Sequence, residues 1–217
     1  MIAVAATHRT HDRSRNRRGE GRLLRTEILA AATELLDTSG DERAVTLRAV
    51  ARRVGITAPS IYPHFAGQAA IVAAVVQQGF ADLADQLRSA VDAAGDDPSH
   101  RLDAACRAYV DFADSHPERY RTMFGGSHHP LGEDGDGGAT YGDPATLGAE
   151  AMRILTDTLT DCVAAGRSTS ANPGADASVL WVGLHGLAHQ HAVVTSYPWP
   201  ADIVHRIAAP LSHLVVS

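Results

Sequence analysis

The stretch RRVGITAPSIYPHF, residues 52–65, decides the fold. It reads as the end of one helix, a tight turn at Gly55, and a second helix of about two turns with Thr57 as its N-cap. Pro59 falls in the first turn, where a missing N–H has no partner to lose. Pro63 offers no N–H to the Pro59 carbonyl and its ring clashes there, so the helix is expected to distort or end early. Just upstream, Thr46 caps LRAVARRVG, residues 47–55, in which Leu47, Val50, Ala51 and Val54 face inward. Two short helices joined by a glycine turn, with small Ala51 where they pack closest, form a helix-turn-helix. The second helix need not be long, because only its first turns enter a DNA major groove. Its outer face is polar and small, as suits a surface covered by DNA and not by a protein core.

Outward from this motif the chain reads as helices with no convincing strand. RLLRTEILAAATELLDTSG, residues 22–40, places Leu24, Ile28, Ala31 and Leu35 on one face and stops at Gly40. After the motif, an apolar helix runs from about Gly67 to the break at GDDP, residues 95–98. Further helices are expected over residues 99–115, 117–124, about 144–165, 175–196 and 201–215. Residues 125–144, GGSHHPLGEDGDGGATYGDP, are glycine-rich and read as a mobile loop. The fold class is therefore all-α: a three-helix DNA-binding domain over residues 22–66 and a helical domain over residues 67–217. A basic, disordered arm over residues 1–21 precedes them.

Composition agrees. The chain has 217 residues, 45% of them hydrophobic, enough for a sizeable core. The net charge of −6 is unevenly placed: residues 1–68 hold eleven arginines against seven carboxylates, and the remainder holds eight against eighteen. Seven of the arginines lie between Arg9 and Arg25, where a flexible arm adds phosphate contacts beside a DNA-binding unit. No apolar run is long enough to span a bilayer, and the first residues do not read as a signal peptide, so no membrane association and a cytoplasmic location are expected. Cys106 and Cys162 are isolated, which suggests neither a disulfide framework nor a zinc ribbon.

The run TEILAAATELLDTSG, residues 26–40, continued by VTLRAVARRVGITAPSIYPHFAGQAAIVAAV, residues 45–75, resembles the N-terminal domain of TetR-family transcriptional regulators. The carrying residues are Thr46, Val50, Ala51, Gly55, Ile56 and Thr57, then Ile61, Tyr62, His64 and Phe65. The resemblance implies a homodimeric, all-helical repressor that binds double-stranded DNA at an operator, with an effector site in its C-terminal domain. Thr46, Arg48, Thr57, Tyr62 and His64 match positions that contact phosphates in that family; Ala58, Pro59, Ser60 and Pro63 match those facing bases. Two departures are visible. Gln68 stands where the family often has a lysine, and Pro63 where a large or polar residue is frequent, so specificity is expected from Ser60, thymine methyls, the arm and DNA shape.

Further along, HPERYRTMF, residues 116–124, and WVGLHGLAHQH, residues 181–191, look similar to the TetR-like C-terminal domains named for a Trp-His-Gly signature, here Trp181, His185 and Gly186. Trp181, Leu184, His185 and Ala188 share a helical face, and Gly186 leaves room for another helix. A four-helix dimer interface built from residues 175–215 of two chains is expected. His185 and His189 lie four apart, a spacing that suits one metal ion, with His191 or Cys162 as further donors of a metal-responsive repressor. HGLAH differs from the H-E-x-x-H protease motif at Gly186, which supplies no general base, so an enzyme with a vestigial DNA-binding domain is the weaker alternative. EDGDGG, residues 133–138, lacks the glutamate that a calcium loop needs at its twelfth position, here Ala145. No catalytic residue, cofactor or resident metal is expected. The aromatic residues gather in two segments: Tyr109, Phe112, Tyr120 and Met123, with Phe124, and then Trp181 with His185 and His189. They are expected to wall a small-molecule effector pocket that suits a neutral or cationic, mainly apolar compound. Effector binding would shift the spacing of the two recognition helices, with the helix of residues 67–94 as hinge.

Overall fold

A computed structural model describes residues 20–125 and 146–215. Most of the basic arm and of the glycine-rich loop, including EDGDGG, lies outside the described residues. The rest is all-α: α1 (Glu20–Ser39), α2 (Leu47–Val54), α3 (Gln68–Ala93), α4 (Pro98–Ser115), α5 (Pro117–Phe124), α6 (Ala149–Ala164), α7 (Pro173–Val193) and α8 (Ile203–Leu211), with short 3-10 helices at Glu42–Ala44 and Ala58–Ile61. The chain punctuates these elements as its residue types dictate. Asp97 accepts from the N–H groups of Ser99 and His100 ahead of Pro98 and so caps α4, and Asn172 caps α7 through Ala175.

Two apolar clusters form. The first joins α1, α2 and the start of α3 through Ile28, Leu36, Val50, Ala51, Ile61, Phe65, Ile71 and Val75. On α1 it is Leu36, 2% exposed, that is buried, while Leu24 and Leu35 only flank the cluster. The second cluster takes Val76, Phe80, Leu83, Leu87 and Val91 from the rest of α3 and packs them on α4, α6 and α7. One helix thus supplies both cores, and its first two turns pack into the N-terminal one. Each large aliphatic side chain buried in this way contributes about 1.5–3 kcal/mol.

The C-terminal elements are shorter than their periodicity suggests. α7 ends at Val193 and α8 covers only Ile203–Leu211, because the TSYPWP segment, residues 195–200, carries two prolines. After α8 the chain turns back and pairs as an isolated antiparallel bridge between Ser168 and Leu214, fixed by Thr169 N–H to His213 O (3.0 Å) and Val215 N–H to Arg167 O (2.9 Å). No sequence pattern marked that bridge. Within the chain the close helix approach falls at Gly183, where a Cβ would stand 2.7 Å from Leu211 Cδ1 and 3.0 Å from Ile207 Cγ2. Gly186 has nothing within 4 Å.

Candidate nucleic-acid interface and effector site

The turn at the centre of the motif is built as its residues require. Thr46 has extended backbone angles, and its hydroxyl accepts from Ala49 N–H at 3.1 Å, starting α2. Gly55 stops α2 in the left-handed region (φ 78°), and the Ala51 carbonyl accepts from both Gly55 and Ile56. The second element is not the α-helix expected from Thr57 onward but a 3-10 helix followed by a turn. Ser60, Tyr62 and His64 each donate to the residue three back, at 3.0, 3.4 and 2.8 Å, and the i→i−4 bond from position 63 is lost to proline. Thr57 has the extended backbone of an N-cap, but its hydroxyl pairs with Ser60 Oγ at 2.9 Å instead of a backbone N–H.

Burial sorts the motif into an inner and an outer side. Val50, Ala51, Ile61 and Phe65 are buried; Thr46, Arg48, Thr57, Pro59, Tyr62 and Pro63 are exposed; Ala58, Ser60 and His64 lie between. Tyr62, 58% exposed, stands clear of the core that Phe65 fills. The nearby arginines divide likewise. Arg53 is drawn to Glu34 of α1 at 2.6 Å, and Arg25 lies 4.3 Å over the Phe65 ring. Arg48 and Arg52 form no ion pair among the described residues, which leaves their charge for a polyanion. Gln68 reaches back to the Glu42 carbonyl at 3.5 Å.

In the helical domain, four of the expected effector residues form one hydrogen-bonded chain. Trp181 Nε1 donates to Tyr109 Oη at 2.8 Å, Tyr109 and Tyr120 hydroxyls lie 2.9 Å apart, and Tyr120 Oη is 2.7 Å from His185 Nδ1. An indole only donates, so the direction that uses every proton runs Trp181 to Tyr109 to Tyr120 to His185, with the imidazole neutral and its proton on Nε2. Burial, and then neighbouring His189, lower the His185 pKa and favour that neutral form. Burial raises both tyrosines, Tyr109 to about 12, so neither ionises near neutrality. Phe124 packs on His185 (4.7 Å) and Tyr120 (4.7 Å), and Phe80 on Phe124 (5.3 Å).

The other three expected residues do not join this chain of bonds. Phe112 packs against His116, Met123 fills the space over Gly79, and His189 is exposed. Gly148, in the left-handed region, seals the cluster: a Cβ there would meet Trp181 at 2.8 Å and Phe80 at 3.1 Å. Outside this seal lies a groove of about 330 Å³ between α3 and α6, lined by Gln77, Phe80, Ala84, Arg88, Leu147 and Glu150 among others. The candidate metal donors are dispersed. His185 Nδ1 is engaged by Tyr120, His191 Nδ1 by Asp114 at 3.0 Å, and Cys162 is fully buried with its thiol pushed up to about 11, by burial above all. No group of three or more His, Cys, Asp or Glu side chains suits a metal ion among the described residues.

Between the two regions sits α5, which sequence periodicity did not mark as a junction. Arg119, with 13% of its side chain exposed, binds Asp37 of α1 at 2.5 Å and Asp82 of α3 at 3.2 Å. Arg121 donates to the Gly40 carbonyl and pairs with Glu118. The adjacent Tyr120 points the other way, into the buried chain.

Sequence comparison completes this picture. The family described as "Bacterial regulatory proteins, tetR family" matches residues 28–75, and "Tetracyclin repressor-like, C-terminal domain" matches residues 102–212. The chain belongs to the TetR family of regulators. Among characterised relatives, this TetR-family protein is 34% identical over 113 residues to the HTH-type transcriptional activator FasR of Mycolicibacterium smegmatis, covering 50% of each chain. It is 35% identical over 94 residues to the uncharacterised HTH-type regulator YobS of Bacillus subtilis, covering 43% of this chain and 47% of that one. The matched segment thus spans about half the length of these relatives. Solved structures agree on the fold: a Rhodococcus protein of unknown function (TM-score 0.72, 25% identity, 94% of this chain and 97% of that one), and the TetR-family regulator PfmR of Thermus thermophilus (TM-score 0.62, 18% identity, 86% and 96%). The family is one of transcriptional regulators and not of enzymes.

Proposed function

We propose that this TetR-family protein is a dimeric repressor that holds a palindromic operator through residues 46–64 and releases it when a small molecule enters the helical domain. The observation that carries the reading is the outer side of the helix-turn-helix, where Thr46, Arg48, Thr57, Pro59, Tyr62 and Pro63 are exposed together beside uncommitted Arg52. Such a surface serves a polyanion and no internal role. Ala58, Ser60 and His64 border it. Repression as the sign of control is part of the proposal, and the relative FasR is named an activator.

The surface of α7 supports the dimer. Val179, Val182 and Val193 are 50%, 73% and 65% exposed and, with Gly186, recur along one side of the helix, an apolar stripe that a second copy of α7 and α8 covers. The effector we propose is neutral or cationic and mainly apolar. It enters by the groove beside Phe80 and Leu147, displaces the Phe80–Trp181 wall, and meets Tyr109, Tyr120 and His185. No helix among the described residues is long and apolar enough to cross a membrane. The cytoplasm is the location we propose, on the ground of the DNA ligand. The test is a thermal-shift screen of apolar amines and neutral aromatic compounds, followed by operator release. A compound that raises the melting temperature and frees the DNA supports the reading; release by micromolar zinc alone, with no organic hit, contradicts it.

A further inference from the structure

We infer that what the recognition turn reads on its operator is the methyl group of thymine, through the exposed ridge Pro59, Tyr62 and Pro63. This rests on the DNA-binding reading above and adds what is recognised. The side chains that pair with base edges most specifically are Arg or Lys, two-pronged on guanine, Asn or Gln, two-pronged on adenine, and Asp or Glu, which accept from cytosine N4. None of these six types occurs between Ile56 and Gly67. What polar capacity the turn does hold is partly spent. The Thr57 and Ser60 hydroxyls bond each other at 2.9 Å, Ser60 is half-buried, and the backbone N–H groups of Ser60, Tyr62 and His64 close the turn on itself. Pro59 and Pro63 have no N–H to give. At the end of α2, Arg53 is held by Glu34 on α1, and the uncommitted Arg52 stands on the helix that crosses the DNA backbone, where it meets phosphate and not a base edge.

The 3-10 winding then decides which surface faces outward. Residues three apart eclipse in such a helix, so Pro59 stands over Tyr62, with Pro63 beside it, and all three are exposed. The result is a hydrocarbon ridge, and not the small polar face that the sequence suggests, where a hydrogen-bonding reader would carry amide or charged groups. Of the features a major groove displays, the thymine C5-methyl is the one such a ridge distinguishes. Tyr62 Oη, at the edge of the ridge, is left for a phosphate oxygen.

The experiment uses the full chain without alteration and an operator recovered by selection from random duplexes. Each thymine of a half-site is replaced in turn by deoxyuridine, which keeps the base pair and removes only the methyl. The expected result is a loss of about fourfold in affinity at one or two positions per half-site. The salt dependence should be unchanged, because no phosphate contact is touched. Pro63→Ala and Pro59→Ala should abolish the difference between thymine and deoxyuridine at those positions in a double-mutant cycle. Deoxyuridine tolerated throughout both half-sites overturns the inference, as does a larger loss on replacing guanine by 7-deazaguanine. Failure to recover any sequence-specific duplex overturns the DNA-binding reading itself.

Discussion

At the scale of single residues, two of the three arginines of α2, Arg48 and Arg53, make opposite predictions from like charges. Arg48 has no partner among the described residues, so Arg48→Ala should weaken binding to every duplex and reduce the salt slope by about 1. Arg53 is committed to Glu34, with both side chains about half exposed, so Arg53→Ala should leave DNA affinity nearly unchanged and cost about 0–1 kcal/mol of stability. Fluorescence anisotropy against salt, with a thermal melt, separates the two. In the helical domain, Tyr120→Phe removes the middle hydroxyl and leaves the Tyr109 proton and His185 Nδ1 without partners, at a cost of about 1–3 kcal/mol. For a chain of this size the melting temperature should fall by roughly 2–4 °C per kcal/mol. His185 also sets a pH dependence. Its folded pKa lies below the unfolded value of about 6.5, so the folded state resists protonation and its contribution is complete above that value. Stability is lost as pH falls from there toward the lowered folded pKa. Denaturant melts at several pH values should show a shallower acid loss for His185→Gln; an identical slope would remove His185 from the account.

At the scale of elements, α5 ties the DNA-binding unit to the helical domain. Its Arg119 bridges Asp37 and Asp82, and its Tyr120 lies in the buried hydroxyl chain. Arg119→Ala leaves two carboxylates facing each other without their cation, so it should destabilise the protein by about 1–3 kcal/mol and loosen α1 first. Hydrogen exchange reads this directly: faster exchange in α1 with α7 unchanged is the expected pattern, and uniform change across the chain contradicts it. The same element shows what a sequence conveys and what it does not. The order of helices and the Gly55 turn follow from residue types acting within a few positions, and these were legible, whereas the Asp97 and Asn172 caps, ahead of the expected helix starts, were not marked. The outward places of Thr46 and Tyr62 were implied by the family resemblance and not by spacing, and both side chains are exposed. The 3-10 winding at Ala58–Ile61 was visible only as a disturbance at Pro63, because choosing between winding types depends on packing of Ile61 and Phe65. The Arg119 bridge joins residues 82 and 37 positions apart, and the Ser168–Leu214 pairing is as remote; no local pattern encodes either. Of the expected effector residues, composition gathered the aromatic ones, but only their packing shows that Tyr109, Tyr120, Trp181 and His185 form one chain while Phe112, Met123 and His189 stand apart.

At the scale of the whole molecule, the proposed dimer would present two recognition turns to one face of a duplex. The stripe on α7 makes the dimer testable without touching DNA. Val182→Glu puts a charge on its most exposed valine and should give a folded monomer, and Gly186→Ala, at a position open within the chain, should weaken only the dimer. Sedimentation with circular dichroism checks both; a dimer that survives Val182→Glu contradicts the proposed interface. A monomer should also lose sequence-specific binding, because half-sites are held in register only by the dimer. The most direct measurement of the central claim is a selection of genome-derived fragments by the full chain, followed by affinity against salt. The account predicts a palindromic duplex with half-sites about one helical turn apart or slightly more, bound by two chains, with an affinity that falls steeply as salt rises. A selection that yields no salt-sensitive, sequence-specific complex would contradict it.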